Sequence, residues 1–187
     1  MEKRRQVLRL SLKDEDDGIR GLAAEALEKL ETRQRLGRLA EKISSGVMLE
    51  KIRAIYAISD LKGPEVFDMV TRAAKDDSED VRAAAIRVLG RTGDYNALSV
   101  LVEALGDSSP MVARTAVEAL GNYNDPRLLR PLMQALKNKD AGVIERALEV
   151  IGKIGDKRAE EAMLYFAVKG NRRMRELAIK ALGEMDA

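Results

Sequence analysis

The sequence predicts an all-α protein, a right-handed superhelix of about twelve helices stacked as antiparallel pairs. Three observations lead there. The strings Val81-Arg82…Ala85…Leu89-Gly90 and Val112…Ala116…Leu120-Gly121 stand 31 residues apart, and the same step reaches Val143…Ala147…Ile151-Gly152 and Met174-Arg175…Ala178…Leu182-Gly183. Backwards it lands on Ala54 and Ile58, then on Ile19-Arg20, Ala23 and Leu27, without an insertion. Within each period apolar residues recur near i, i+4, i+7 and i+8, the spacing of a core-facing helical stripe, and strand signals are absent throughout.

Each repeat unit holds two such helices, and the order along the chain follows from their caps. Residues 1–13 read as the second helix of an incomplete leading unit (1–15), with Leu8 and Leu12 in its core columns. Further units start near 16, 47, 78, 109 and 140, and a final single helix takes 171–187, so that 1–187 forms one array. The first helix of a unit opens after Asp16, Ser78, Ser109, Asp140 or Asn171, with Pro110 at a first helical position; Val47 breaks that column. The second opens after Thr32, Gly63, Asp94, Asp125 or Asp156, with Pro64 and Pro126 following. Its stripe is the track Leu39, Val70, Leu101, Leu132, Met163. Glycines 90, 93, 121, 152 and 155 lie near the end of the first helix, where they suit either a C-terminal stop or a close helix contact.

Composition narrows the chemistry. The 187 residues carry 33 Lys+Arg against 31 Asp+Glu, 45% hydrophobic and 34% charged, too apolar for disorder and too charged for a membrane protein. No apolar run reaches spanning length, and the opening MEKRRQVLRLSLKDED has no signal-peptide core, so a cytoplasmic protein is expected. The absence of His, Cys and Trp removes disulfides, thiol nucleophiles, His-based catalysis and Cys/His zinc sites. With 2 Phe and 4 Tyr, base-stacking platforms are disfavoured. The basic stretch 1–13 followed by acidic 14–17 reads as solvated helix ends, and the scarcity of Gln and Cys beside high charge is thermophile-like.

A unit of the form D-x5-R-x2-A-x3-L-G-x2-G-D, followed by x6-L-x3-L, resembles the HEAT-like repeat of the phycobilin-lyase subtype. The match is fullest over 76–187; in 14–75, Glu28 and Ser59 replace the helix-end Gly and Glu50 replaces the apolar residue. The resemblance implies a hydrogen-bonded ladder through Asp14/Arg20 and Asp76/Arg82, whereas Asp107/Ala113 and Asn138/Ile144 have lost the arginine. It also implies that the helix with the Val-Arg pair faces the concave side and carries the binding residues. Carried onto this chain, that face holds Leu49, Ile52, Arg53 and Tyr56, then Arg87, Arg91, Met111, Arg114, Glu118 and Asn122. Later units add Glu145, Arg146, Glu149, Lys153, Arg172, Arg173, Glu176 and Lys180.

Leu49, Ile52 and Tyr56 fall outside the core columns. They form either an exposed anchor beside Arg53 or the buried face of a locally rotated helix that replaces the apolar residue missing at Glu50. Met163-Leu164-Tyr165-Phe166 is similarly apolar; burial under the terminal helix is the first reading, an oligomer contact the second. Enzyme readings fare poorly. HEAT-like hydroxylases that bind iron through His and Glu need a His, and adjacent acids such as Glu160/Glu161 diverge around a helix rather than form a dyad. The expected function is therefore a non-catalytic scaffold with no cofactor and no metal. It would bind an unidentified protein partner with an acidic segment at Leu49, Ile52, Arg53, Tyr56, Arg87, Arg91, Met111 and Arg114. Nucleic-acid backbone binding by the concave arginines and an accessory bilin-lyase-like activity are the alternatives. No membrane association is expected, and the chain reads as a monomer or weak homodimer.

Overall fold

A computed structural model describes residues 2–61, 63–123 and 125–185. Among them every regular element is helical. The α-helices are α1 (Glu2–Ser11), α2 (Asp17–Ser45), α3 (Met48–Ile58), α4 (Pro64–Ala73), α5 (Glu79–Thr92) and α6 (Leu98–Glu103). They continue with α7 (Pro110–Gly121), α8 (Leu129–Ala135), α9 (Ala141–Ile154), α10 (Glu160–Lys169) and α11 (Arg172–Glu184). The expected continuation of the last helix to Ala187 lies outside the described residues. The chain divides into two compact bodies, Met1–Ile58 and Ser59–Ala187.

In the N-terminal body, α1 packs on α2 and α2 on α3. Here the structure corrects one expectation: Thr32 opens no second helix but lies inside α2, which runs unbroken for 29 residues. The cause is local. Where later repeats place Gly-x-x-Gly-Asp, this one reads Glu28-Lys29-Leu30-Glu31-Thr32, all compatible with a continuing helix and none able to supply the left-handed stop. The fusion accounts for eleven α-helices among the described residues rather than about twelve. The body buries little: Ala23, Ile43, Ala54, Ile55 and Ile58 form its core, no residue of α1 is fully buried, and Leu8 and Leu12 are half-buried.

The C-terminal body is a regular two-row stack. Helices α5, α7, α9 and α11 pack consecutively on one another, while α4, α6, α8 and α10 each pack on the helix that follows. The columns Val81/Val112/Val143, Ile86/Val117/Leu148 and Leu101/Leu132/Met163 are closed to solvent. Each such side chain contributes about 1.5–3 kcal/mol of burial. The repeated glycines divide into two roles. Gly93 and Gly155 adopt φ of 65° and 66° and terminate α5 and α9, a backbone that L side chains strain to reach. Gly90, Gly121 and Gly152 instead let the next helix approach: a Cβ there would meet Ala119, Val150 Cγ2 at 3.0 Å and Ala181 Cβ at 2.9 Å respectively. Aspartate and asparagine caps hold the helix starts, with Asp140 accepting from Val143 N at 2.9 Å and Asn171 from Met174 N at 2.9 Å. Ser78 and Ser109 occupy the same position without a side-chain capping bond. Their own N–H groups donate to Asp76 Oδ1 at 3.0 Å and Asp107 Oδ1 at 2.8 Å.

Candidate binding faces and the arginine–aspartate junction

The loops that precede the first-row helices build the junction. Arg82 Nη1 donates to the carbonyls of Asp76 and Asp77 at 2.8 and 3.0 Å, while Nε and Nη2 fork onto Asp107 Oδ2 and Oδ1, both at 2.8 Å. Arg20 repeats the inner half of this pattern, donating to the carbonyls of Asp14 and Glu15 at 2.6 and 2.9 Å and pairing with Asp17. Each arginine thus meets the aspartate six residues earlier through its backbone, and Arg82 meets the next repeat's aspartate through its carboxylate. This corrects the expectation that Asp107, facing Ala113, lacks an arginine: its partner comes from the preceding repeat. Sequence spacing within one repeat could not reveal a bond between repeats. Burial works against the charged form of Asp107, but the Arg82 fork and the Ser109 N–H together outweigh it and hold the carboxyl below its ordinary value. One repeat on, Ala113 ends the pattern, and the Asn138 side chain accepts from Asp140 N at 2.8 Å, with no arginine on it among the described residues.

In the N-terminal body, α3 turns Ala54, Ile55 and Ile58 inward, so its stripe is not rotated. Leu49 is 56% exposed, Arg53 is exposed, and Ile52 and Tyr56 are half-buried. Glu50 has a task of its own, accepting the Val47 N–H at 3.3 Å at the start of α3.

On the open face of the C-terminal body, Arg87 and Arg91 of α5 and Arg114 of α7 are exposed and Met111 is half-buried. Arg114 lies over Gly142, with Nε 3.9 Å from Asp140 Oδ1. From Glu118 onward the face neutralises itself. Arg146 bonds Glu118 and, at 2.6 Å, Glu149; Lys153 bonds Glu149 at 3.1 Å; Arg172 and Arg173 approach Glu176 at 3.1 and 3.4 Å. Glu145 accepts from Asn171 at 3.0 Å. The Lys153 and Arg146 hydrogen bonds hold the Glu149 carboxyl below its ordinary value despite partial burial. Chemically, this half offers paired charges, and the α5–α7 half offers arginines beside a methionine.

Two features differ from the sequence reading. Leu164 and Tyr165 are exposed rather than covered by α11, because they fall outside the α10 stripe; the Tyr165 ring lies edge-on to Phe166 at 5.2 Å. A loop-side cluster went unread: Tyr95 stacks edge-on with Tyr123 at 5.7 Å, Arg127 lies 5.8 Å over the Tyr95 ring, and the Tyr123 hydroxyl donates to Asp94 O at 3.1 Å. Neither tyrosine recurs at the 31-residue step, so periodicity carried no signal for the pair.

In the C-terminal body, stacked helix pairs with a two-row core and an open charged face define an α-helical repeat fold. The chain belongs to the HEAT repeat family, which matches residues 48–110, 68–149 and 129–187. The fold is similar to that of human deoxyhypusine hydroxylase in complex with glycerol, at 21% identity and a TM-score of 0.61 over 87% of this chain and 66% of that one. A designed armadillo repeat protein in complex with the peptide (KR)4 aligns at 18% identity, TM-score 0.60, over 97% of this chain and 99% of its own. The CpcE–CpcF complex of phycocyanin lyase from Nostoc sp. PCC7120 aligns at 17%, TM-score 0.52, over 96% and 76%. No curated protein sequence matches the chain. Among the described residues, no helix is long and apolar enough to cross a membrane.

Proposed function

We propose that this HEAT-repeat chain is a non-catalytic scaffold that binds a protein partner through the exposed faces of α3 and of α5–α7, with an acidic segment of the partner on the arginines. The observation that carries the reading is the uneven pairing of charge. Arg146, Arg172 and Arg173 are held by glutamates, whereas Arg53 and Arg91 have no carboxylate within hydrogen-bonding distance among the described residues and Arg114 has only the 3.9 Å approach to Asp140. Exposed guanidinium groups beside Leu49 and Met111 suit a peptide with both acidic and apolar side chains. The designed armadillo neighbour takes the peptide (KR)4; a face bearing arginines favours the opposite sign.

The same pairing weakens the nucleic-acid reading, since cations already neutralised by glutamate release no counterions on meeting phosphate. A lyase-like role has the likeness to the CpcE–CpcF complex in its favour and no catalytic constellation in this sequence. The test is affinity capture from the native host, comparing the parent with an Ile52→Asp/Tyr56→Ala variant and an Arg91→Glu/Arg114→Glu variant. Both variants should keep the parent's helical signal and lose the same protein. Undiminished capture by both, or capture of nucleic acid in its place, would sink the proposal.

A further inference from the structure

Inside the C-terminal body, the residues that follow α4, the first two turns of α5 and the end of α6 enclose a cleft of about 270 Å³. Its apolar lining is Ala74, Ile86, Val100 and Ala104. Its charged lining is two ion pairs, Arg82–Asp107 and Lys75–Glu103. The combination is particular to this junction. One 31-residue step on, Ala74 becomes Leu105, and the four charged positions become Gly106, Ala113, Gln134 and Asn138. A further step puts Leu136 in the Ala74 position, and both leucines are buried. A leucine fills at those junctions the space that an alanine leaves open at this one.

The two pairs differ in depth. The Arg82 and Asp107 side chains are 15% and 14% exposed and hold each other through the fork. Lys75 and Glu103, at 3.1 Å, are 62% and 66% exposed, and a surface pair of this kind costs little to open. Lys75 uses one of its three N–H donors on Glu103 Oε1, and Glu103 Oε2 accepts from no group among the described residues. The lining therefore offers a positive and a negative group with spare bonding capacity, no net charge, and an apolar surface between them. At about 30 Å³ per water the cleft has room for about nine waters, or for a ligand of about nine non-hydrogen atoms.

We propose that this cleft binds a free aliphatic α-amino acid of about the size of leucine. Its carboxylate takes the spare donors of Lys75, its ammonium takes Glu103, with the Asp107 carboxylate lining the same cleft, and its side chain covers Ala74, Val100 and Ala104. A ligand carrying only one of the two charges leaves either Lys75 or Glu103 without a new partner, so the zwitterion is the form the lining selects. The site shares no residue with the faces proposed for partner binding, and the two readings stand or fall separately.

Amide NMR of the full chain titrated with L-leucine tests it. Isoamylamine (leucine without its carboxylate) and isocaproate (leucine without its amine) are the matched probes. Leucine should shift the Gly106 and Asp107 amides saturably, with a Kd in about the millimolar range. Each single-charge probe should bind at least about tenfold more weakly, the loss of one charge-assisted hydrogen bond. Ala74→Leu, which installs the residue of the next two repeats, should keep the helical signal and abolish the shifts. Lys75→Met, at an exposed position, should keep the fold and leave leucine binding no tighter than isoamylamine. The proposal is overturned by any of four results: no saturable shift up to about 50 mM leucine, equal binding of leucine and isoamylamine to the parent, undiminished binding to a folded Ala74→Leu, or a Lys75→Met chain that still prefers leucine.

Discussion

Removing the Asp107 carboxylate is the sharpest test of how the repeats are joined. In Asp107→Ala the Arg82 guanidinium loses both fork bonds while its side chain, 15% exposed, keeps the Asp76 and Asp77 carbonyls. Breaking a buried pair on one side costs about 3–5 kcal/mol, and the retained carbonyl bonds and partial solvent access bring the expectation here to about 2–3 kcal/mol. Loss of the Ser109 N–H acceptor is included in that figure. Asn138→Ala supplies the reference, because Asn138 makes the same turn bond to Asp140 N but faces no arginine; it should cost about 1 kcal/mol. Asp107→Asn, which keeps a turn acceptor and loses the charge, should fall between them. Urea unfolding at constant m-value reads all three. The pH arm has a definite sign. The Asp107 carboxyl is depressed on folding, so its contribution is present above the ordinary carboxylate value and disappears as pH falls through the depressed one. The gap between parent and Asp107→Ala should therefore close in acid. Equal losses at Asp107 and Asn138 would refute the inter-repeat fork.

Gly121→Ala and Gly152→Ala should each lower stability by about 1–3 kcal/mol through overpacking against Val150 and Ala181, measured by thermal melts. Gly183→Ala, with open space around it, should instead raise the stability of the isolated chain by about 0.5–1 kcal/mol through helix propensity. The Asp156 carboxyl, held down to about 2 by the Arg158 side chain and N–H, should titrate near that value in carbon-detected NMR, so its cap persists until the pH falls through it. Hydrogen exchange should find amides 30–34 protected like the rest of central α2, since no break interrupts that helix.

Most of the architecture could be read from periodicity, because a repeat protein states each packing rule several times over. The columns through Val81, Ile86, Leu89 and Leu101 predicted the core, and the aspartate caps predicted helix starts to within a residue or two. What escaped had a common physical origin. The fusion of α2 depends on what is missing at 28–32, and a missing stop signal is weaker than a present one. The Arg82–Asp107 fork joins side chains 25 residues apart, a pairing that follows from the rise between repeats and not from spacing within one. For the binding face, sequence alone could place Leu49, Arg53, Arg91 and Arg114 outside the core columns. Whether a neighbouring helix supplied a glutamate, as Glu118 does for Arg146, required side-chain geometry.

Site-specific photocrosslinking tests the binding proposal most directly. A benzophenone amino acid placed at Arg53 or at Arg91, both exposed, is compared with one at Lys137, an exposed position just beyond α8. Irradiation in the native host should join the first two to the same protein and leave the Lys137 probe without it. Crosslinks that run from Arg53 and Arg91 to nucleic acid, or that are equally strong from Lys137, would contradict protein-binding faces on α3 and on α5–α7.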